Sequence, residues 1–385
     1  MSWMIKANQL DEEQNQFIFE KAKSKENIWI KGFAGSGKSI LLVHTIVDKL
    51  KENPNATICV VVFTHSLIQM FAAGMQELGI PDKNVWLKTY HQFIKDNISY
   101  EYIFCDEVQD LPKSVLENMK ARTQQLILAG DSNQSIYTSD PSSNEPTVTP
   151  SEIGNITNSN PYELNTIYRL TKSIIKTISS LLPEMNILSS KTDRTKKDIS
   201  VRLCKGTSEH KEVEYIISQA DEAISVDESV VIILPTHDDI LRFTNLVLGI
   251  KNKQQWELVT DRWGKKPDWK LLNNYLSNNN VNIEYIGNGA GDLYNSVRLG
   301  KMILMTYHSA KGLDFDNVFL PFVSTSFSVR NKTIFMVGMT RSKKDLYLTY
   351  SGNPHEYISS FENECTKIDI DSIADNSNDD LDFDF

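Results

Sequence analysis

Lys38 and Ser39 close the stretch GFAGSGKS, Gly32 to Ser39, which follows the apolar run NIWI and opens the helix-patterned KSILLVHTIVDKL. The spacing G-x-x-x-x-G-K-S between a strand and a helix is that of a loop that cradles phosphates. Gly32, Ala34, Gly35, Ser36 and Gly37 can turn backbone N–H groups toward a β-phosphate, and the helix dipole adds to the attraction. Lys38 then reaches the β- and γ-oxygens, and the Ser39 hydroxyl is placed for Mg²⁺. A second chemically capable pair ends the apolar strand YIFCDE. Asp106 suits a hold on Mg²⁺, and Glu107 suits orienting or deprotonating an attacking water. Carboxyl ends of parallel strands are where such sheets bind ligands. A water-activating glutamate favours hydrolysis over transfer to a small acceptor.

The elements needed to position these groups follow an alternating pattern. NIWIKG, ATICVVVFT, EYIFCDE and QLILAGD read as strands, with helical patterns such as KSILLVHTIVDKL and HSLIQMFAAGMQEL between them. Such alternation predicts an α/β fold with a parallel sheet covered by helices. Thr138 to Ser151, TSDPSSNEPTVTPS, loses all periodicity and reads as a connection between domains. A second alternating set follows, including KEVEYIISQADEAI, SVVIILPT, KMILMTYHS, NVFLPFV and DLYLTYS. The expected organisation is a first domain over residues 1–140, a connection over 141–161, a second domain over 162–362 and an acidic, disordered tail over 363–385. Two tandem α/β domains of this kind would frame a cleft. NNYLSNNNVN is expected to be a surface loop. The stretch Trp256 to Lys270 interleaves Trp with Lys and Arg, either as a nucleic-acid surface or as packing on the core.

Bulk properties narrow the field. The chain of 385 residues is long enough for two domains with full cores. Its apolar runs have the length of buried strands, too short to cross a bilayer. The opening MSWMIKANQLDEEQ lacks a basic-then-apolar leader pattern. Cys59, Cys105, Cys204 and Cys365 are scattered, with no spacing for zinc or a disulfide framework. A cytoplasmic protein without membrane contact is the expectation. The formal charge of −10 argues against coating duplex DNA by bulk attraction. Seven aspartates and no Lys or Arg lie from Ile368 onward, so most of that charge sits at one end.

With these residues in place, the chain resembles superfamily 1 helicases of the UvrD/Rep type. DEVQD followed by AGDSNQSIY is similar to the family's second and third motifs. LDEEQ resembles the adenine-reading glutamine motif, KTYHQF the strand-contacting TFHSF segment, and LNTIYRLT the LxxNYRS motif. MTYHSAKGLDFDNVF resembles TxHxSKGLEFxxV, and VGMTRSKKDLYL resembles VAxTRAxxxLxL. The series keeps the family's order from about residue 10 to residue 350. It implies two tandem RecA-like P-loop domains with an ATP cleft between them, and ATP with Mg²⁺ as the chemistry's components. It further implies that Gln14 contacts adenine and that Gln134 senses the γ-phosphate. Gly312 and Asp314 border the nucleotide in the same resemblance. Arg169 and Arg341, expected in the second domain, would act as arginine fingers from across the cleft. The implied contacts to a single strand are Thr64, His65, Thr89, His91 and Tyr137 from the first domain, with Thr306, His308 and Ser309 from the second. Tyr and His stack on bases, and hydroxyls bind phosphate oxygens. Each of these is also an ordinary capping or packing residue type.

The chain departs from that family in ways that shape the expected function. Cys105 follows Thr89 by sixteen positions, which leaves no room for the family's first accessory insertion. After Tyr137 the chain reads QSIYTSDPSS, without the aromatic and arginine usual there, and Asp314 replaces a usual Glu. The leading expectation is a nucleic-acid-stimulated ATPase that translocates on single-stranded DNA, 3′ to 5′ by resemblance. RNA stays open as the strand, because the implied contacts are to backbone and base faces. The alternative is an ATP-switched DNA sensor or regulatory subunit of a multi-protein nuclease or effector system with little unwinding. The end DSIADNSNDDLDFDF is similar to acidic, Phe-terminated tails of bacterial single-stranded-DNA-binding proteins, a possible docking element for a protein partner.

Overall fold

Short runs of β-branched and aromatic residues become strands, and the amphipathic runs between them become helices, in the computed structural model. The structure describes residues 3–81, 83–131, 133–140, 143–193, 195–260 and 267–373. Two compact units divide it: the first runs to Arg169 and takes back the segment from Ser190, and the second holds Leu170–Ser189 and the residues from Thr195 on.

The first unit is built on β1 (Asn27–Gly32), β2 (Ile58–Val62), β3 (Val85–Thr89), β4 (Tyr100–Cys105), β5 (Thr123–Gly130) and β6 (Ser159–Leu164). They form one sheet in the order β3-β2-β4-β5-β1-β6, with parallel pairings. Among its helices are α1 (Glu12–Gln16), α2 (Lys38–Glu52), α3 (His65–Glu77), α4 (Tyr90–Asp96), α5 (Lys113–Ala121) and α6 (Pro150–Thr157). Every residue of β2 is buried, as expected of a parallel strand covered on both faces. A short parallel pair, β7 (Thr166–Ile167) and β8 (Lys191–Thr192), completes this unit.

The second unit begins with α7 (Lys172–Leu181). Its strands are β9 (Arg202–Gly206), β10 (Val230–Leu234), β11 (Ile283–Tyr285), β12 (Met302–Thr306), β13 (Phe315–Leu320), β14 (Ser342–Ser351) and β15 (Thr366–Asp369). These form a parallel sheet in the order β11-β12-β10-β13-β14-β9-β15. Helices α8 (Glu209–Ser225), α9 (His237–Ile250), α10 (Trp269–Asn278), α11 (Leu293–Arg298), α12 (Tyr307–Ala310) and α13 (Lys332–Met339) accompany it. The α/β class and the doubled parallel architecture are as expected. Among the described residues no helix is long and apolar enough to cross a membrane.

Three expectations are corrected. The segment from Thr138 does not leave the first unit: Thr147 N donates to Thr138 O at 3.2 Å, and Val148 N donates to Leu111 O at 3.2 Å. Val148 and Ile153 are buried in the first unit's core, and β6 then extends its sheet beside β1. Buried apolar side chains and paired backbone thus hold residues 143–169 in the first unit. The second correction concerns the acidic end, where β15 pairs with β9 and Ile370 is buried. Ile368 at the end of this strand and Ile370 just beyond it both pack against the second unit's core. The rest of the expected tail, residues 374–385, lies outside the described residues. Finally, most of NNYLSNNNVN is not loop but the end of α10, because Trp269, Leu272 and Leu276 recur on one helical face and are buried.

Candidate active site

The phosphate loop connects β1 to α2 as its spacing predicts. Gly37, at φ 86°, is the residue before α2, so the helix begins at Lys38 with its first N–H groups facing the loop. Ser36 Oγ is buried with no hydrogen-bond partner among the described residues, an orphan donor inside a cradle of N–H groups. Lys38 Nζ donates to the carbonyls of Gly32 at 2.8 Å and Phe33 at 3.1 Å. A cation folded onto its own loop and a hydroxyl lacking an acceptor are what an anionic phosphate would satisfy.

Asp106 and Glu107 lie at the end of β4, next to this loop. Ser39 Oγ donates to Asp106 Oδ2 at 2.5 Å. Asp106 is only 2% exposed, and burial, with the neighbouring Glu107 carboxylate, pushes it up to about 6. Two hard oxygen donors meeting at a part-buried contact, one of them a carboxylate whose burial disfavours its charged form, fit a divalent cation. Ser39 and Asp106 are therefore the residues that would hold Mg²⁺. Glu107 has a left-handed backbone, φ 55°, and its N–H donates to Asp106 Oδ1 at 3.0 Å. Its carboxylate accepts from Gln109 Nε2 at 2.6 Å.

Gln14 and Arg169 also gather around the loop. Asp11 caps α1, accepting from Gln14 N at 2.6 Å, while Gln14 Oε1 accepts from Asp11 N at 3.1 Å. This box directs Gln14 Nε2 to within 2.7 Å of where a Cβ on Gly37 would fall. Tyr168 N and Arg169 N both donate to Gly35 O, at 2.9 and 3.3 Å. Arg169 was expected from the second domain; it belongs instead to the first unit, because β6 and β7 keep the chain there until that residue. Gln134 is buried just beyond β5, its N–H donating to Asp131 O at 3.1 Å.

Arg341, Gly312 and Asp314 belong to the second unit. Arg341 is 1% exposed. Its guanidinium donates to Val337 O, Leu313 O and Thr340 Oγ1 at 2.9, 3.0 and 2.8 Å. Asp314 forms an ion pair with Lys343 at 3.8 Å, and Gly312 has φ 83°. Thus Gln14, Lys38, Ser39, Asp106, Glu107, Gln134 and Arg169 share one unit with the phosphate loop, and these three residues do not.

The strand-contact candidates lie where strands end. Thr64 and Thr89 cap α3 and α4, accepting from Leu67 N and Gln92 N, both at 3.3 Å. A hydroxyl that accepts an N–H still has its own proton to give to phosphate. His65 and His91 are exposed. Tyr137 stacks on Phe63 at 4.5 Å between centroids, Phe63 on Tyr90 at 5.2 Å, and His91 lies 3.9 Å from Tyr90. In the second unit Thr306 accepts from Ser309 N at 3.2 Å, and burial, with Lys311 beside it, holds His308 below its ordinary value.

Sequence reasoning missed Phe63, which reads as the last residue of a buried strand. It also missed Thr236 and His237. Thr236 caps α9 after β10 as Thr64 caps α3 after β2. The neighbouring strands, β12 and β3, each end in Thr-Tyr-His. The recurrence of TH and TYH along the chain was the available signal. Of the Trp256 to Lys270 stretch, residues 261–266 lie outside the described residues; Trp269 is buried against His237, and Trp256 packs on Tyr275.

Comparison with known proteins adds the family. Residues 28–236, just over half of the chain, match the model of the viral superfamily 1 RNA helicase core domain. Residues 292–353 match the UvrD-like helicase C-terminal domain. A search of curated proteins gives no match. Among solved structures, the crystal structure of Arterivirus nonstructural protein 10, a helicase, is 14% identical with a TM-score of 0.44, covering 90% of this chain and 64% of that one. The PRRSV helicase is 15% identical with a TM-score of 0.44, covering 87% of this chain and 54% of that one. The Arterivirus protein in complex with DNA is 14% identical, also at 0.44, with 90% and 65% covered. This chain thus spans between about half and two thirds of the length of these helicases. On the match across residues 28–236, the chain belongs to the superfamily 1 helicase core family.

Proposed function

We propose that the protein is a nucleic-acid-stimulated ATPase that translocates along single-stranded DNA, 3′ to 5′, opening duplex with or without a partner. The observation that carries this reading is the Ser39–Asp106 contact beside Lys38 and Glu107, all at one phosphate loop. Mg²⁺, held by Ser39 and Asp106, supplies charge neutralisation to the phosphates. Lys38 neutralises the β- and γ-oxygens, Glu107 orients and accepts a proton from the attacking water, and Arg169 lies against the loop that presents the phosphates. Arg341 is the second-unit finger, and to serve it exchanges bonds within its own unit for phosphate oxygens. Gln14 reads the base, and Gln134 reports the γ-phosphate. The repeated Thr-His and Thr-Tyr-His segments at strand ends support single-strand contacts in each unit, and the polarity is proposed from the family resemblance alone.

A second reading is an RNA strand in place of DNA, favoured by the viral RNA helicase core model that matches residues 28–236. ATPase rate measured alone, with single-stranded DNA and with single-stranded RNA decides between them. Partial duplexes with 3′ or 5′ overhangs then report unwinding and its direction. Stimulation by neither strand would end the motor reading, whereas hydrolysis without strand release would favour the sensor role.

A further inference from the structure

Gln109 sits inside the acidic motif, DEVQD, and is fully buried. Its amide spans two loops. Nε2 donates to Glu107 Oε2 at 2.6 Å, while Oε1 accepts from Asp131 N at 3.2 Å. The Gln109 carbonyl accepts from Ser135 Oγ at 3.4 Å, next to Gln134. The side chain also requires Gly130, since a Cβ there would lie 2.3 Å from Gln109 Oε1. One residue therefore ties the carboxylate at the end of β4 to the backbone at the end of β5.

We infer that Gln109 is a positioning residue that fixes the Glu107 carboxylate for attack and links its position to the loop carrying Gln134. The inference rests on the hydrolytic role proposed for Glu107. A neutral amide of this length donates at one end and accepts at the other at any pH. A glutamate at 109 keeps the acceptor for Asp131 N but, when ionised, sets a carboxylate against Glu107. A methionine keeps length and loses both bonds. Glu107 starts from a left-handed backbone, a conformation that non-glycine residues hold only when the surroundings enforce it. The hydrogen bond from Gln109 Nε2 holds its side chain at one oxygen. A shift of the β5 loop that moves Asp131 N also moves Gln109 and, through it, Glu107.

The test uses the full chain in five versions: wild type, Gln109→Glu, Gln109→Met, Glu107→Gln and the Glu107→Gln/Gln109→Glu double variant. Steady-state and single-turnover hydrolysis with saturating single strand, equilibrium binding of a fluorescent ATP analogue and thermal melting are measured. Loss of position costs roughly 10- to 100-fold in kcat. Analogue Kd stays within about twofold, because the tether acts on the water and not on nucleotide binding. Gln109→Glu, which keeps the bond to Asp131 N, melts near wild type and still loses turnover. In the Glu107→Gln background the Gln109 change lowers the residual single-turnover rate no further, since residues acting as a unit are not additive. Wild-type kcat in Gln109→Glu, or a full additional loss in the double variant, overturns the inference. Wild-type turnover in Glu107→Gln would instead remove the hydrolytic reading itself, and Gln109's role with it.

Discussion

The Ser39 hydroxyl donates to Asp106 Oδ2 across 67 positions of sequence, joining the start of α2 to the end of β4. A divalent cation held at both oxygens would take the place of this bond. Ser39→Ala removes one of the two proposed cation ligands and leaves the buried Asp106 with one fewer donor. Lys38→Ala removes the charge proposed to face the β- and γ-oxygens. Each is expected to lower kcat by roughly 10²–10³-fold, the cost of losing a preorganised electrostatic group. The check is Mg²⁺-dependent ATPase: Ser39→Ala should need more Mg²⁺ for half-maximal rate, and Lys38→Ala should not be rescued by it.

Gly35 tests the position of Arg169. A Cβ on Gly35 would lie 2.3 Å from Arg169 Cβ, and the backbone there has φ 77°. The clash is with a Cβ and its backbone, which cannot swing away as a side-chain tip can. Gly35→Ala should push LNTIYRLT off the loop, weaken ATP-analogue binding by at least about tenfold and lower melting temperature, given about 1–2 kcal/mol for the left-handed backbone alone. Nucleotide affinity equal to wild type would show that Arg169 does not depend on this seat.

How much of this was legible in sequence depends on whether a residue's partner was also local. The phosphate loop is one contiguous strand–turn–helix, so its spacing specified its geometry. Asp106 and Glu107 were legible because an apolar strand must end where its acidic pair begins. Arg169 was placed in the wrong unit because Thr138–Ser151 lacks periodicity. Only the long-range pairing of β6 with β1 reveals that the chain turns back, and no local pattern encodes that pairing. The segment from Thr366 to Ile370 was read as tail since four residues of strand and one isoleucine among aspartates look like solvated chain until β9 is beside them. Gln109 was invisible because, although Glu107 is two residues away, only the fold brings Asp131 N to the other end of its amide.

Phe63 and Tyr137 test the strand platform. Their rings stack at 4.5 Å, and Phe63 continues onto Tyr90, whose hydroxyl donates to Asp140 Oδ2 at 2.6 Å and so is anchored. Stacking of a base on an aromatic is worth about 1–3 kcal/mol. Tyr137→Ala should therefore weaken single-strand binding by roughly 5- to 150-fold with basal, strand-free hydrolysis unchanged. Fluorescence anisotropy of a labelled oligonucleotide reads the first and ATPase without strand the second. Equal affinity for oligonucleotide would remove the aromatic ladder from the nucleic-acid path.

Glu212 sits in the core of the second unit, where no catalytic demand explains it. Its Oε2 accepts from Thr349 Oγ1 at 2.6 Å and from Phe322 N at 3.1 Å, holding Phe322 in a left-handed turn, φ 61°, after β13. Burial raises its pKa above the ordinary 4.5, partly offset by these donors. A carboxyl whose folded value is raised is protonated more readily in the folded state. Its contribution is fullest below the unfolded value and declines as pH climbs through the folded one. Each unit of elevation costs about 1.4 kcal/mol once both states are ionised. Glu212→Gln keeps a carbonyl oxygen for Thr349 and Phe322 and cannot ionise. Its melting temperature should therefore gain on wild type as pH rises from about 4.5 toward neutrality. A difference between the two proteins that stays constant over that range would mean Glu212 is held ionised without cost, and the assignment of burial as its dominant influence would be wrong.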